Sequence, residues 1–565
     1  DAVLSSRRPR ISGSIDPAWK ELPTVTQIRE ATHPAFIEAL LDPAAHPHAT
    51  GDLRVEETHI SWLIFTDDHV YKVKKPVNFG FLDFSTLDRR EHFCREELRL
   101  NQRLSPNVYL GVEPVTLDGG RYLLGGDGQV IDYALKMRRL PESGWLAGLL
   151  KRDQVDAPMV RRIAARIADF HAQAAEPSAA AEGSSLDIVS QNTEENFNQT
   201  APFLGWTLPQ TTYDVVRAYS RTFLHTGRSL FLRREEERRI RDGHGDLHAG
   251  QICVENGIDF IDCIEFNDRF RIGDTAADLA FLAMDLDARG HPELSRVLVE
   301  EYRTRTNDEG LEDVLRFYKC YRAYTRGKVE SMRADQLDTH RPERRAAEAA
   351  ARRYFQLARH YAIPKGPLLI ALTGLMGTGK SSVAEALSMC WDAMTMNSDV
   401  VRKELAGVPA GNHRYVAWQQ GIYAEKTSEA TYTEMHRRAA QVLTEGGVVV
   451  LDGSYAKNRW REAASRTAEM ADAQFVLVEV HCPPAIVRDR LLRREASGEG
   501  ASDGRIELAS RQAAEYEPVD TKAFPTFSRI RTDQNGEELP YHALRAVYGA
   551  LPWQVLAHRP LSAGA

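Results

Sequence analysis

The stretch LLIALTGLMGTGKSSVAEAL, residues 368–387, passes from an apolar run through a glycine-rich turn into strong helix formers. Its centre, GLMGTGKS (374–381), has the spacing G-x-x-x-x-G-K-S in the strand–loop–helix context that a P-loop requires. Glycines let backbone N–H groups close around phosphate oxygens, and the N-terminus of the following helix adds positive potential. A lysine at position 380 can reach the β and γ phosphates, and the Ser381 hydroxyl can meet Mg²⁺. Gly374, Gly377, Thr378, Gly379, Lys380, Ser381 and Ser382 are therefore the candidate contacts to ATP or another nucleoside triphosphate.

Downstream, apolar strands alternate with helices: VVVLD (448–452) and FVLVEVHC (475–482) predict an α/β domain with a parallel sheet. Behind a P-loop, the Asp and Arg of MNSDVVRKEL (396–405) gain roles. Asp399 can accept the proton of an attacking hydroxyl, and Arg402 can hold an anionic part of the acceptor. Asp452 ends its strand where a carboxylate can support Mg²⁺ or its water. A helix carrying Arg488, Arg490, Arg493 and Arg494, followed by a mobile Gly/Ser-rich stretch, reads as a lid that closes over the transferring phosphate.

Upstream, Pro364, Gly366 and Pro367 stop a charged helix. Residues 59–75 predict a β-hairpin, 85–104 a helix capped by Ser85, and 108–117 with 129–139 further strands: a small α+β lobe. From 140 to 355 the pattern is helical, with 159–172 a core-facing helix, 174–185 a loop or mobile insertion, and RREEERRIRDG (233–243) a solvated face. Within it lies HGDLHAGQIC (244–253). The Asn256-Gly257 pair predicts a hairpin that returns Asp262 towards the loop, so Asp246, Gln251 and Asp262 can converge. Two carboxylates meeting there repel unless a cation or a proton joins them, which suits a Mg²⁺ site beside a base. His171 and His244 are expected to brace structure, and Asp274 and Asp278 to cap a helix and brace the loop.

The region of about 368–530 resembles the P-loop kinases of small substrates and the polynucleotide 5′-kinases. That resemblance implies Asp399 as base, Arg402 on an acceptor phosphate, and Arg490 or Arg493 as lid arginine. Most of 35–350 resembles the aminoglycoside phosphotransferase and choline kinase-like branch of the protein-kinase fold. The match runs in order through a strand Lys, a helix Glu, a hinge near LKMRRL, HGDLHAGQ, and IDCIEFNDRFRIGDTAADLAFLAMDL. It implies Lys72 on ATP phosphates, with Lys74 a rival on the same strand face, and Glu97 as its partner; Asp246 as base; and Gln251 and Asp262 as metal ligands. Two features depart from that branch or its relatives: Gln251 stands where the family usually has Asn, and no GxGxxG precedes Lys72. The tandem order is similar to bifunctional aminoglycoside phosphotransferase-like/ATP-binding proteins, and it implies no antibiotic substrate.

At 565 residues, two or more domains are expected. The boundaries read as a flexible segment 1–33; a bilobal α+β kinase-like domain 34–355, with lobes about 34–139 and 140–355; a linker 356–367; an α/β P-loop domain 368–555; and a tail 556–565. The opening residues lack a Met start and an apolar signal region and read as a processed or truncated end. Six cysteines without a CxxC pair argue for a reducing cytoplasm, and no apolar run suits a membrane span. Residues 366–565 hold 22 Lys+Arg against 24 Asp+Glu, leaving 50 against 56 before them, so nucleic acid is not the favoured partner. The reading is a phosphotransferase using ATP and Mg²⁺, with a small-molecule or nucleotide hydroxyl as acceptor. Alternatives are a polynucleotide 5′-hydroxyl kinase, or an N-terminal ligand sensor that regulates the P-loop kinase.

Overall fold

The computed structural model describes residues 33–48, 51–80, 82–177, 185–409, 420–497, 505–533 and 536–557. The expected flexible start up to residue 32, the loop at 178–184, the Gly/Ser-rich stretch at 498–504 and the tail from 558 lie outside the described residues. The chain divides into two compact units, one ending at Arg95 and resuming over Tyr109–Arg139, the other comprising Glu96–Val108 and everything from Leu140.

The first unit holds a short helix, α1 (Ala35–Ala39), and an antiparallel sheet of β1 (Arg54–Glu57), β2 (Ser61–Phe65), β3 (His69–Lys74), β4 (Tyr109–Asp118), β5 (Arg121–Leu124) and β6 (Gln129–Arg138). The strand order is β1-β2-β3-β6-β4-β5. Alternation along β2 and β3 puts Trp62, Ile64, Tyr71 and Val73 into a core closed by Ile37 and Leu40. Helix α2 (Leu87–Gln102) starts one residue later than a Ser85 cap requires. Thr86 accepts the Arg89 N–H, whereas the Ser85 hydroxyl turns back to Asp83 at 2.6 Å.

The second unit begins with α3 (Leu146–Lys151), α4 (Ala157–Gln173), α5 (Ser185–Thr200), α6 (Gln210–Thr226) and α7 (Arg228–Glu236). Short strands β7 (Ile240–Asp242), β8 (Ile252–Cys253) and β9 (Asp259–Phe260) follow, then α8 (Asp268–Arg271), β10 (Ile272–Asp274), α9 (Thr275–Ala288), α10 (Pro292–Thr306), α11 (Leu311–Gln336) and α12 (Pro342–Ala362). The segment 233–243 is not a solvated face throughout. Arg234 is 1% exposed, and its guanidinium bridges Asp274 and Asp308, because two carboxylates from distant elements meet it and compensate its burial.

The P-loop domain follows in the order β11 (Leu368–Thr373), α13 (Lys380–Trp391), β12 (Met394–Asn397), α14 (Ser398–Leu405), α15 (Glu425–Thr444), β13 (Val448–Asp452), α16 (Asn458–Met470), β14 (Gln474–His481), α17 (Pro484–Ser497), α18 (Ile506–Glu515), β15 (Phe527–Arg531), α19 (Leu539–Ala550) and α20 (Trp553–Leu556). Its five strands are all parallel, in the order β12-β13-β11-β14-β15. All six β11 residues are buried, as a central strand covered on both faces requires. Among the described residues no helix is long and apolar enough to cross a membrane, and the six cysteines stand unpaired.

This domain shares one core with the helices before it. The Tyr548 ring meets Tyr219 of α6 and Trp391 of α13, and its hydroxyl donates to Ala362 O at 3.1 Å. Arg316 of α11, 6% exposed, has no carboxylate among its described hydrogen-bond partners. It donates to Ile363 O and to Leu556 O, so the C-terminal ends of α12 and α20 both face one buried cation. Burial lowers its pKa to about 10. Leu556 and Ala557, expected in a tail, are buried in this core.

Candidate active sites

The P-loop site is made mostly of backbone. Gly374 has φ +140°, and a Cβ there would lie 2.3 Å from Val480 O, so only glycine lets the loop pass β14 this closely. Lys380, the first residue of α13, donates to Gly374 O at 2.9 Å and Leu375 O at 2.7 Å. Burial lowers its pKa to about 8, opposed by the carboxylates of Asp452 and Asp399. Asp452, 3% exposed at the end of β13, is raised by burial and steadied by the Ser381 hydroxyl and by the Asn397 amide at 2.6 Å. A hydroxyl and a buried carboxylate face to face beside the loop are the donor set a Mg²⁺–triphosphate complex uses, so Ser381 and Asp452 fit that ion.

These residues border a cavity of about 430 Å³ that Gly377, Gly379, Ser382, Asp399 and Arg402 also line. Asn397 caps α14 by accepting the N–H groups of Asp399 and Val400, which fixes where the Asp399 carboxylate starts. Arg402, one turn later, is 6% exposed under the Tyr423 ring, 4.7 Å from its centroid. Among the described residues its Nε and Nη1 are buried without a hydrogen-bond partner. Of the proposed lid arginines, Arg490 lines the cavity and donates to Thr532 O at 2.7 Å, whereas Arg493 is 80% exposed and paired with Asp489. Arg494, one turn after Arg490, lines the cavity in its place. Thr378 turns its hydroxyl onto Leu375 O and so braces the loop from within. Gln512, which accepts the Met376 N–H at 2.7 Å, was invisible to sequence reasoning because no spacing links it to the loop.

The kinase-like site is made of braces. His244 N–H and Gly245 N–H both donate to Asp278, at 2.6 and 2.9 Å, and Ala249 N–H donates to Asp285 at 3.0 Å. Asp274 caps the same helix, α9, by accepting the Ala276 N–H. Positions 274, 278 and 285 recur at four and seven residues, one helix face, so the missed brace Asp285 had a signal in the sequence. His171 joins Tyr302 at 2.8 Å and Asp278 at 3.4 Å, and the His244 ring meets Ile261 O at 2.9 Å. Gly245 has φ +86° and a Cβ there would meet Phe270 O at 2.9 Å, which requires glycine.

The hairpin brings Asp246, Gln251 and Asp262 to one loop cluster: Ile261 N–H donates to Gln251 O, and Ile264 N–H to His244 O. Desolvation raises the Asp246 carboxyl, but His248 at 3.5 Å, Arg326 and His244 outweigh it and hold the group well below the usual carboxylate range. His248 Nδ1 accepts the Gly250 N–H, so its Nε2–H is the atom offered to Asp246. Gln251 turns its amide nitrogen to Asp262 at 3.2 Å, a hydrogen bond rather than a metal-ready pair of oxygens. Among the described residues no group of three or more His, Cys, Asp or Glu side chains is placed to hold a metal. Lys72 is half-buried and Lys74 fully buried on β3 of the first unit, with Lys74 over the Phe84 ring at 4.7 Å; Glu97 is fully buried on α2 in the second unit.

A family model described as an AAA domain matches residues 369–519. The uncharacterized protein Rv2004c of Mycobacterium tuberculosis (strain ATCC 25618 / H37Rv) is 31% identical over 475 residues, 83% of this chain and 91% of its own. The uncharacterized protein Mb2027c of Mycobacterium bovis matches to the same extent. Among solved structures, a choline/ethanolamine kinase family protein from Mesorhizobium loti gives TM-score 0.33 at 13% identity over 55% of this chain and 93% of that one. The APS kinase CysC of Mycobacterium tuberculosis gives 0.23 at 20% identity over 32% and 95%. With its P-loop domain built on a parallel sheet, the chain belongs to the family of the mycobacterial proteins Rv2004c and Mb2027c.

Proposed function

We propose that the P-loop domain, residues 368–555, transfers the γ-phosphoryl group of ATP to the hydroxyl of a small molecule that also carries an anionic group. The observation that carries this reading is Arg402: a cation 6% exposed, with two nitrogens lacking a hydrogen-bond partner among the described residues, on the wall of the cavity that also holds Lys380 and Asp399. A buried guanidinium left so is costly unless an incoming anion meets it. In the reaction, Lys380 leaves the loop carbonyls for the β and γ phosphates, Asp399 takes the hydroxyl proton, and Arg402 fixes the acceptor. Arg490 and Arg494 stand over the transferring group. Ser381 and Asp452 would hold Mg²⁺, which when bound would neutralise charge on the triphosphate.

The domain 34–355 uses Asp246 as base, with Lys72 on the nucleotide phosphates and Glu97 as the partner of that lysine. A second reading makes this domain a non-catalytic ligand sensor; the Gln251 amide closed on Asp262 favours it. Transfer from γ-labelled ATP across a metabolite and oligonucleotide panel tests both. Arg402→Ala is expected to raise the acceptor KM by about 10²-fold and leave the ATP KM unchanged. Equal acceptor KM in the variant would sink the acceptor reading, and loss of transfer with Lys380→Ala but not with Asp246→Ala would favour the sensor.

A further inference from the structure

A second cavity, of about 290 Å³, lies wholly within the second unit, with walls drawn mainly from α5, β10, α9 and α11. Two polar groups on those walls are left incomplete. Asn192 of α5 is 8% exposed; its Nδ2 donates to Arg269 O at 3.3 Å, which fixes the orientation of the amide, and among the described residues its Oδ1 is buried without a hydrogen-bond partner. A buried acceptor left so is costly until a donor meets it. Arg322 of α11, also 8% exposed, makes one hydrogen bond among the described residues, to Ala277 O at 3.3 Å. The Phe281 ring, with its centroid 4.8 Å from the guanidinium carbon, holds the group in place. The carboxylate of Asp278 stands 3.9 Å from Arg322, beyond hydrogen-bond reach, and it already accepts the N–H groups of His244 and Gly245 at 2.6 and 2.9 Å. The other arginines of the wall have carboxylates of their own: Arg238 and Arg241 face Glu176, Arg269 is paired with Glu195, and Arg271 with Asp242 and Asp268. Gly273 of β10 lines the same cavity, and a Cβ added there would meet nothing within 4 Å. Its φ is not in the left-handed region, so a side chain at 273 would fill open space without straining the strand.

We propose that this cavity binds a small carboxylate that also carries a hydrogen-bond donor, as a hydroxy acid does, with the carboxylate on Arg322 and the donor on Asn192 Oδ1. The guanidinium, fixed by a ring face and one carbonyl, offers its remaining N–H groups to a planar anion. The amide oxygen selects among anions, because a carboxylate without a donor leaves that acceptor unmet. Asp246 does not line the cavity, so the site is distinct from the one in which that residue is read as the base.

The test is calorimetric titration of the full chain carrying Lys380→Ala and Arg402→Ala, so that anions taken up by the P-loop cavity do not contribute. The probes are lactate and malate, each set against the same acid without the hydroxyl, propionate and succinate. At least one hydroxy acid is expected to bind, about tenfold more tightly than its counterpart. Asn192→Leu should erase that preference, a change that a merely structural role for the amide would not produce, and Arg322→Gln should weaken both acids of the pair. Gly273→Val should abolish binding by occupying the cavity, with the melting temperature unchanged. Because it removes no side-chain contact, it carries the test if Arg322→Gln fails to fold. Absence of binding by both hydroxy acids, no preference for the hydroxyl, a preference that survives Asn192→Leu, or binding undiminished in Gly273→Val overturns the proposal.

Discussion

The loops at 374–381 and 244–251 are held in shape by opposite means. In the first, the surface is the backbone itself, shaped by glycines of which Gly374 passes within contact of β14, and Lys380 at the start of α13 folds back onto the loop carbonyls. In the second, the backbone is held from outside by Asp278 and Asp285 of α9, and the Asp246 carboxyl is held low by His248 and Arg326. A backbone-made site tolerates little change at its glycines but depends on few remote residues. A braced site spreads its demands over positions 30 and more residues away.

Lys380→Ala should break the first site most severely, with a loss of about 10³-fold in transfer by the P-loop domain, since it removes the charge aimed at the γ-phosphoryl group. Transfer assayed on an acceptor of that domain reads this directly, and retention within tenfold would mean the loop does not position the triphosphate.

Where α6 meets the P-loop domain, Asp214 is 2% exposed, and burial raises its pKa from 3.8 to about 6. The folded chain therefore binds this proton more tightly than the unfolded chain. Stability falls as pH rises between about 4 and 6 and stays reduced above that window. Asp214→Asn should remove the penalty, by up to about 3 kcal/mol at neutral pH, and flatten the slope. Melting temperatures at pH 5 and pH 7.5 check it; an unchanged slope would show that Gln210, which donates to the carboxylate, already offsets the burial.

Gln251→Asn should have the smallest effect and sharpen the contrast. A shorter amide relaxes the hydrogen bond to Asp262, and nucleotide binding by the kinase-like domain in a Lys380→Ala background should become about tenfold more dependent on Mg²⁺. A fluorescent nucleotide titrated with and without Mg²⁺ reads the change, and identical Mg²⁺ dependence would return Gln251 to the role of a metal ligand.

The contrast also explains what could be read from the chain. Glycine spacing placed β11, the loop and α13, and the Asn-Gly pair placed the turn between β8 and β9, because these signals are local. Asp274 and Asp278 were legible as cap and brace because they sit at a helix start. Asp285 followed the same face but looked like one more charge on a helix. The pairing of Arg234 with Asp274 and Asp308 spans 40 and 74 residues, so nothing local marked it as buried. Strand β1 with its exposed residues, and the short β5, had no alternation to announce them. On α17, Arg490, Arg493 and Arg494 are equivalent as letters; only packing against Thr532 and pairing with Asp489 sort them.

The cation at Arg316 bears on how the protein can be taken apart. Cutting the chain between Ile363 and Leu368 would leave each half with an exposed slice of a common core, and Arg316 would lose the Leu556 carbonyl. The segment 356–367 is thus no hinge: its first seven residues complete α12, and Ile363 is anchored to α11. Half-genes expressed separately should need each other to fold, and co-expression with recovery of a complex is the natural format for studying the two halves one at a time.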